Sequence, residues 1–425
     1  MGGLSSILSL ALLFVILVVA VFWLLIYVGI RREKNHRVKL KGYPSLAIII
    51  PTITEGKTLL KAINSSLKIK YPKNKYYIYV ALNQSSTPET VKAAMSVKRR
   101  NVKVVKCPMD GKAKVMNYVL KKHAREDLLL VLDADTLIER HLPERMAAYF
   151  ENRKIGCVVA SVKVLNPKTF AEKMQKYEYL LSILSRKALS SMMGLMVAHG
   201  AGSMFRMSAI RKVGYFDENN PTEDLEMGLR LLTRGYRIET SPVAVSYTVV
   251  PSTLRALFKQ RKRWFSGFFF NLTKYRKELF SRKNLGLGLF IVPLVIFSIF
   301  IGIFVLLSLS YSLFYPAAVF ISQEYAILQN TNAAVTLNTQ LAYIPDFIFF
   351  SLDTQYILTL FTVAIGLFSL AYSLKYSGVK IHKFKDTVGI IGYLAFYAFF
   401  LSFIWLYTSV VYIASRRTFT WKIGT

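Results

Sequence analysis

Short apolar runs alternate with segments of mixed polarity between residues 46 and 132. Apolar runs of about four to eight residues are typical of buried strands, and apolar positions three to four residues apart are typical of helices that cover a sheet. Strands that alternate with helices are joined by right-handed crossovers and form a parallel sheet. The pattern therefore predicts an α/β domain. Its strands are predicted at 46–51, 75–82, 102–105 and 128–132, and its helices include 57–67 and 88–96.

The last of these strands ends in two carboxylates. Residues 128–132 are all apolar, and Asp133-Ala134-Asp135 follows at once. Open α/β sheets bind ligands at the carboxyl ends of their strands. There, both carboxylates can converge on one hard cation, Mg²⁺ or Mn²⁺, that bridges to a diphosphate. The alternative is a solvated Asp-x-Asp at a strand end, so the tripeptide needs support from the rest of the chain.

Four long stretches contain no charged side chain and predict membrane helices, each of which needs about 20 apolar residues to cross a bilayer. They lie at 7–30, 285–315, 354–374 and 387–415. The first is too long for a secretory signal, and no basic segment precedes it. The sequence thus predicts an N-terminal transmembrane helix (1–30), a large α/β domain (40–250), an amphipathic interfacial region (252–284), a C-terminal transmembrane region of about three helices (285–415) and a tail (416–425).

The formal net charge is +32, and basic residues cluster beside the predicted spans at 31–39, 255–283 and 375–385. Lys and Arg are enriched on the cytoplasmic side of membrane proteins, so we expect a multi-pass protein of the cell membrane whose large domain is cytoplasmic. The segment 315–353 contains neither residue and fits an outside loop. The basic residues form no single stripe with interleaved aromatic residues. The expected partners therefore include membrane lipids but no nucleic acid.

The tail at 415–422 is also basic, although four spans would leave it outside. Either the tail departs from the charge rule, which we prefer, or part of 341–351 enters the bilayer and changes the number of spans. Cys107 and Cys157 are the only cysteines, which excludes a disulfide framework and a cysteine-rich zinc site.

Gly111-Lys112-Ala113-Lys114 precedes a predicted helix. No second glycine stands at the spacing of a Walker loop, which excludes a nucleoside triphosphatase of that type. Free backbone amides together with Lys112 and Lys114 can still bind an anion. A lysine-rich helix start without a ligand explains the same residues equally well.

Thr222-Glu223-Asp224 begins a helix that Gly235 ends. Thr222 suits the N-cap, and acidic residues in the first turn suit the helix dipole. Asp224 is also a candidate general base at the mouth of the site. Taken alone, the motif is explained by helix formation.

Residues 252–271 have the spacing of an amphipathic helix that lies along a membrane surface, and 167–189 is a second such candidate. Gln260, Arg263 and Trp264 stand at i, i+3 and i+4 and share one face. They can offer an amide, a guanidinium for a diphosphate and a ring for a sugar. The alternative is an interfacial helix anchored by Trp and Arg.

These three motifs, in this order and flanked by apolar spans, resemble those of the membrane-bound family 2 glycosyltransferases. That group includes the cellulose, chitin and hyaluronan synthases and enzymes like the ceramide glucosyltransferase. The resemblance covers residues 46 to 271 and the membrane layout. It implies a glycosyltransferase-A fold, an inverting transfer from a nucleotide diphosphate sugar, and Mg²⁺ or Mn²⁺ as cofactor.

The resemblance also implies roles for the acidic and cationic residues. Asp135 would hold the metal, and Asp133 would bind the metal or the nucleotide. Asp224, with Glu223 beside it, would take the proton from the acceptor hydroxyl. Arg263, together with Gln260, would meet the leaving diphosphate.

The remaining site residues follow from the same comparison. Trp264 would line the acceptor site, and Lys112 and Lys114 fall in a stretch that resembles a donor-binding segment of the family. Gly202, within the small-residue run 199–203, would let a sugar approach the backbone closely.

Two departures from the family pattern concern the donor base. The second strand usually ends in acidic residues, whereas Asn83 follows Leu82 here. The loop after Pro51 usually carries an aromatic-Asn-Glu sequence, and here only Glu55 is kept. Recognition of the base, and with it the preference for uridine, stays open.

We therefore expect a metal-dependent membrane glycosyltransferase that transfers a sugar from a UDP-sugar to a growing polysaccharide or to a lipid. A non-catalytic membrane protein that uses a degenerate transferase domain as a nucleotide-sugar sensor or docking module is the alternative. A transporter is disfavoured, because the spans are few and the large insert leaves little for alternating access.

Overall fold

The computed structural model describes residues 2–30, 40, 42–192, 195–294, 296–297, 300, 354–378 and 383–414. The chain divides into two compact units. One unit comprises Met1–Gly29 and Ile296–Tyr372, and the other comprises Ile30–Val295 and Ser373–Thr425.

The elements are numbered here in chain order. The strands are β1 (Leu46–Thr52), β2 (Tyr76–Leu82), β3 (Val102–Lys106), β4 (Leu128–Leu132), β5 (Leu137–Ile138), β6 (Ile155–Val164), β7 (Ala201–Arg206) and β8 (Arg237–Thr248). The α-helices are α1 (Gly2–Gly29), α2 (Gly56–Leu67), α3 (Pro88–Ser96), α4 (Lys112–Lys122), α5 (Leu142–Ala147), α6 (Phe170–Ser191), α7 (Met207–Val213), α8 (Glu223–Thr233), α9 (Leu254–Lys274), α10 (Arg276–Leu279), α11 (Thr354–Tyr376), α12 (Lys383–Gly392) and α13 (Ala398–Ala414). Short 3₁₀ turns occupy Ala148–Glu151 and Arg282–Asn284, and π-helical turns occupy Leu287–Ile291 and Tyr393–Tyr397.

The eight strands form one sheet in the order β3-β2-β1-β4-β7-β6-β8-β5. The first four strands are parallel to one another, as the sequence predicts. Every residue of β1 and β4 is buried. Strands covered on both faces need apolar side chains on both faces, which is why these two read as continuous apolar runs instead of alternating ones.

In the other half, β6 and β8 also pair in parallel, but the prediction of a parallel sheet is wrong for β5 and β7. Strand β7 runs antiparallel to β4 and β6, and β5 runs antiparallel to β8, so the sheet is mixed. The loop after α6 delivers the chain to the carboxyl end of β4, where a Cβ on Gly200 would lie 2.7 Å from Oδ1 of Asp133. A strand that starts at the edge where its neighbour ends must run in the opposite direction.

Helices α2 and α3 pack on each other and α4 packs on β1 and β2, which covers the parallel half of the sheet. Helix α6 packs against β6 and β8. It begins with a capping box, in which the Thr169 hydroxyl accepts from the backbone amide of Glu172 and the Glu172 carboxylate accepts from that of Thr169. The helix predicted at 167–189 is therefore confirmed with slightly shifted ends.

Helix α9 packs against α8 and α13 within the larger unit. Phe265 stacks on Trp405 with ring centroids 3.8 Å apart, and Phe269 stacks on Tyr412. The apolar face predicted for 252–271 thus contacts aromatic residues of α13.

No helix in the described ranges combines the length and apolar character needed to cross a membrane. Parts of the predicted spans coincide with α1, α11, α12 and α13. Other predictions fall outside the described residues: the basic segment 31–39, the end of the second span (301–315), the loop 315–353 with its segment 341–351, and the tail 416–425.

Candidate active site

A cavity of about 380 Å³ lies at the carboxyl ends of β1, β2 and β4. It brings together residues that lie far apart in the sequence, from Pro51 to Trp264. Eleven of the thirteen predicted site residues line it: Pro51, Glu55, Asn83, Lys112, Asp133, Asp135, Glu223, Asp224, Gln260, Arg263 and Trp264. Lys114 and Gly202 are not part of the lining.

The side chains of Glu55 and Asn83 shape one end of this cavity through contacts with backbone atoms. The Glu55 carboxylate accepts hydrogen bonds from the backbone amides of Ile53 and Thr54, at 2.6 and 2.8 Å. The Asn83 amide donates to the carbonyl of Thr52 at 2.9 Å and accepts from the amide of Gly111 at 2.8 Å. Glu55 therefore orders the loop after β1, and Asn83 ties together the loops that follow β1, β2 and β3.

Lys112 lines the cavity from the first position of α4. Its ammonium group is 2.7 Å from Asp133 and 3.1 Å from Glu223, so one cation bridges two of the predicted motifs. Desolvation opposes the charge of Lys112, but the nearby carboxylates outweigh it and raise the pKa. Gly200 leaves room for this bridge, because a Cβ there would lie 2.5 Å from the ammonium nitrogen.

Asp135 follows Asp133 by two residues and lines the same cavity. Burial, together with the negative charge of Asp133, raises the pKa of Asp135 to about 6. The hydroxyl of Thr248 donates to Asp135 at 3.3 Å. A carboxylate whose ionisation is opposed by a neighbouring carboxylate fits a divalent cation, which removes the repulsion.

Within the described part of the chain, no cluster of three or more His, Cys, Asp or Glu residues suits a metal. Mg²⁺ and similar cations are commonly held by one or two carboxylates, with substrate phosphates and water completing the shell. The pair Asp133 and Asp135 therefore fits a cation that arrives with a diphosphate.

Asp224 lies in the first turn of α8. Burial and then the charge of Glu223 raise the pKa of Asp224 to about 6, although Lys112 acts in the opposite direction. The backbone amide of Leu225 donates to its carboxylate at 2.8 Å. A carboxylate with this pKa is ionised at neutral pH and is a stronger base than an ordinary aspartate.

Thr222 occupies the N-cap position of α8, but the prediction that its side chain caps the helix is wrong. Its hydroxyl instead accepts from the Asn271 side chain of α9 at 3.1 Å. Gly267 permits this approach, because a Cβ at that position would lie 2.3 Å from the Thr222 hydroxyl. Contact between the two helices competes with capping and replaces it.

Arg261 holds the patch formed by Gln260, Arg263 and Trp264. Its side chain is 1% exposed and pairs with Glu178 of α6 at 2.5 Å. It also donates to the Gln260 side chain at 2.9 Å, and its guanidinium carbon lies 4.0 Å from the centre of the Trp264 ring. Burial disfavours the charge, but Glu178 raises the pKa of Arg261 overall. In the sequence, this arginine only interrupts an apolar face.

Tyr179, Arg186 and His199 also line the cavity and are absent from the sequence-based set. Tyr179 and Arg186 are seven residues apart, which places them two turns apart on one face of α6. That spacing is the sequence feature from which these two residues could have been identified. Burial and then the charge of Arg186 lower the pKa of His199 well below its usual value, so this imidazole is neutral.

Gly202 has a structural role in β7. Its φ of +113° suits glycine, and a Cβ would lie 3.2 Å from the Ser246 hydroxyl and 3.3 Å from Ala160. Gly202 thus allows β7, β6 and β8 to pack closely. Gly200, two residues earlier, is the small residue that lines the cavity.

A family model described as "Glycosyltransferase like family 2" matches residues 44–267. The chain belongs to this family. The match contains every motif described above, and the predicted family and class of enzyme are confirmed.

Known relatives of this family 2 glycosyltransferase include the poly-beta-1,6-N-acetyl-D-glucosamine synthases of Staphylococcus aureus (strain COL) and Staphylococcus epidermidis. Each is 29% identical over 268 residues, which make up 60% of this chain and 64% of the relative. The chain thus spans just under two thirds of the length of these relatives.

A solved structure of a mannosyltransferase from Pyrobaculum calidifontis, in complex with GDP-Man and Mn²⁺, has a similar architecture. The TM-score is 0.57 at 18% sequence identity, and the match covers 86% of this chain and 97% of that one. At this identity the likeness concerns the fold. The predicted glycosyltransferase-A fold is thereby confirmed.

Proposed function

We propose that this protein transfers a sugar from a nucleotide diphosphate sugar to a hydroxyl of a growing polysaccharide, with inversion and with a divalent cation. One observation carries the proposal: Asp133, Asp135, Asp224 and Arg263 come from distant parts of the sequence and line one cavity. A base, a pair of metal-binding carboxylates and a cation for the leaving group are the groups that this reaction needs.

The donor would bind with its nucleotide against the loops held by Glu55 and Asn83, and with its diphosphate beside Lys112. We propose a UDP-sugar, although these loops contain fewer acidic residues than those of the family it resembles. Asp135 and Asp133 would hold Mg²⁺ or Mn²⁺. When bound, the cation offsets the negative charge of the diphosphate.

Asp224 acts as the general base in the proposed transfer. The acceptor oxygen forms a bond to the anomeric carbon as the bond from that carbon to the diphosphate oxygen breaks. The acceptor proton passes to Asp224, and the diphosphate leaves with the bonding electron pair. Arg263 and Lys112 stabilise its negative charge. Attack opposite the leaving group inverts the anomeric configuration.

A polysaccharide acceptor is favoured over a lipid because the relatives from both Staphylococcus species are named polysaccharide synthases. We also propose that the enzyme is a membrane protein with its catalytic domain in the cytoplasm. The uncharged stretch at 7–30 and the basic clusters beside the apolar stretches support this location. Membrane lipids would then surround the apolar segments.

The test uses detergent-purified full-length protein with UDP-, GDP- and dTDP-sugars, Mg²⁺ or Mn²⁺, and either β-1,6-linked N-acetylglucosamine oligosaccharides or a lipid extract. We expect one donor to give metal-dependent release of nucleotide diphosphate, and the oligosaccharide to grow. Growth of a lipid product alone would contradict the polysaccharide acceptor. Donor binding without any release would support the nucleotide-sugar sensor instead.

A further inference from the structure

Arg186 is a charged residue of the cavity to which the mechanism assigns no task. It lies on α6 and lines the cavity. Its Nη1 atom is buried and has no hydrogen-bond partner among the described residues. A buried, charged donor that lacks a partner is costly, because it has lost water without replacing it. Such an atom in a cavity wall indicates a ligand that completes its hydrogen bonds.

The surroundings of Arg186 place it at the Asp224 end of the cavity. The charged and polar groups that act on it most strongly are Tyr179, Glu178, Arg261 and Asp224. Glu178 already pairs with Arg261 at 2.5 Å, so it is not the missing counterion. No carboxylate in the described ranges lies within ion-pair distance of Arg186. Asp133 and Lys112 pair with each other elsewhere in the cavity.

The charges of the lining decide which kind of ligand fits. Five carboxylates line the cavity, against three permanent cations. The carboxylates are Glu55, Asp133, Asp135, Glu223 and Asp224, and the cations are Lys112, Arg186 and Arg263. A divalent cation and a diphosphate nearly cancel each other, so a further anion would meet excess negative charge. A neutral ligand that is rich in hydroxyl groups avoids this cost.

The side chains around Arg186 also suit a sugar. Tyr179 and Trp264 offer aromatic rings, which pack against the apolar faces of sugars. His199 is neutral, and its Nδ1 is buried without a hydrogen-bond partner among the described residues. The lining of the cavity therefore combines two aromatic rings with two buried polar atoms that lack a partner among the described residues.

We propose that Arg186 is an acceptor-binding residue: its Nη1 donates a hydrogen bond to an oxygen of the terminal sugar of a neutral glycan, beside Asp224. The inference rests on the proposed function and adds the residue that orients the acceptor. A hydrogen bond from a fixed guanidinium would limit rotation of the terminal sugar and direct its nucleophilic hydroxyl towards Asp224.

The test compares the wild type with Arg186→Met, which keeps the apolar stem, and Arg186→Lys, which keeps the charge but removes Nη1. Arg211→Gln, on the exposed surface of α7, is the control. Three quantities are measured with UDP-N-acetylglucosamine, Mn²⁺ and a β-1,6-linked N-acetylglucosamine tetrasaccharide. They are the dissociation constant of the tetrasaccharide with UDP present, the dissociation constant of UDP, and the ratio of sugar transfer to donor hydrolysis by water.

For Arg186→Met we expect tetrasaccharide binding to weaken at least about tenfold and the transfer-to-hydrolysis ratio to fall at least as much, since a hydrogen bond to a charged group is lost. UDP binding should stay within about twofold of the wild type. For Arg186→Lys, tetrasaccharide affinity and the transfer-to-hydrolysis ratio should lie between those of the wild type and Arg186→Met. If Arg186→Met does not fold, the same pattern in Arg186→Lys decides the question.

Other outcomes contradict the inference in distinguishable ways. Weakened UDP binding with unchanged tetrasaccharide binding would make Arg186 a ligand of the diphosphate. Unchanged values for all three quantities would leave Arg186 without a role in substrate binding. A wild type that neither binds the tetrasaccharide nor releases UDP would contradict the proposed function itself.

Discussion

Asp224 owes its basicity to its surroundings. It lies in a partly buried position next to Glu223, and both features make its ionised form less favourable. Its pKa of about 6 brings the base closer to neutral pH than an ordinary aspartate. The same surroundings that make Asp224 useful for proton transfer should therefore affect both the pH dependence and the stability of the enzyme.

The pH dependence follows from the protonation of this carboxylate. Below about pH 6, Asp224 takes up a proton and can no longer accept one from the acceptor. We expect kcat/KM to fall about tenfold for each pH unit below that point, as for a single essential base. The check is a pH profile of diphosphate release at saturating metal. A profile that stays flat down to pH 4.5 would contradict the assignment of Asp224 as the base.

Replacing Asp224 and replacing Asp217 with asparagine should change the stability of the fold in opposite directions. The raised pKa of Asp224 means that the fold binds a proton more tightly than the unfolded chain does, so stability is lost as pH rises through the interval from about 4 to 6. At Asp217, burial is outweighed by the contacts with Lys274 and its neighbours, which lower the pKa, so its charged form stabilises the fold above about pH 4 and this contribution is lost as the pH falls further. At pH 7, Asp224→Asn should raise the melting temperature and Asp217→Asn should lower it. A fall in both variants would contradict this account.

The sequence identified the residues proposed to carry out the reaction better than the residues that hold or assist them. Asp133, Asp135 and Asp224 stand in motifs whose residue types and spacing point to a reaction. Arg186 and Arg261 do not, because their significance depends on contacts with residues far away in the chain. Arg261 meets Glu178, 83 positions earlier, and only the fold brings the two together.

At the scale of elements, the active site depends on how closely α8 and α9 approach. Gly267 lets α9 lie against Thr222, and the side chain of Asn271 then bonds to the Thr222 hydroxyl. This contact fixes the distance between the motif at 222–224 and the patch around Arg263. One contact between the two helices therefore positions both the proposed base, Asp224, and Arg263, the cation proposed to meet the leaving group.

Gly267→Ala tests this contact. The new methyl group would overlap the Thr222 side chain, and such overpacking costs about 1–3 kcal/mol. We expect a lower melting temperature and at least about tenfold slower transfer, because α8 and α9 must move apart. Gly286→Ala is the matched control, since a Cβ there meets nothing within 4 Å. Equal activity of both variants would show that the helix spacing is not critical.

The elements were predictable from sequence as far as local pattern determines them. The first four strands, with their apolar runs and alternating helices, were identified together with their parallel pairing. Strands β5 to β8 were not identified, and the antiparallel direction of β7 depends on where the loop after α6 returns the chain. The role of Thr222 was misassigned for a related reason: capping is a local property, and a contact with α9 displaced it.

At the scale of the whole molecule, the proposed membrane location rests on the distribution of charged and apolar residues. We expect the full-length protein to sediment with membranes and to stay there after washing with high salt and with alkaline carbonate. Salt removes attachment through basic residues alone, because it screens exposed charges. Release of the protein by salt would indicate attachment to the membrane surface through basic residues and would contradict a transmembrane location. Recovery of the protein in the soluble fraction would contradict any membrane location.

The central claim is that the cavity transfers sugar from a nucleotide diphosphate donor with Asp224 as base. The most direct measurement compares nucleotide diphosphate release by wild type, Asp224→Asn and Asp217→Asn, with and without Mn²⁺, in the presence of the glycan acceptor. The account predicts metal-dependent release by the wild type, a loss of about 10²–10⁴-fold in Asp224→Asn with donor binding retained, and turnover near the wild-type rate in Asp217→Asn. Undiminished release by Asp224→Asn would contradict it.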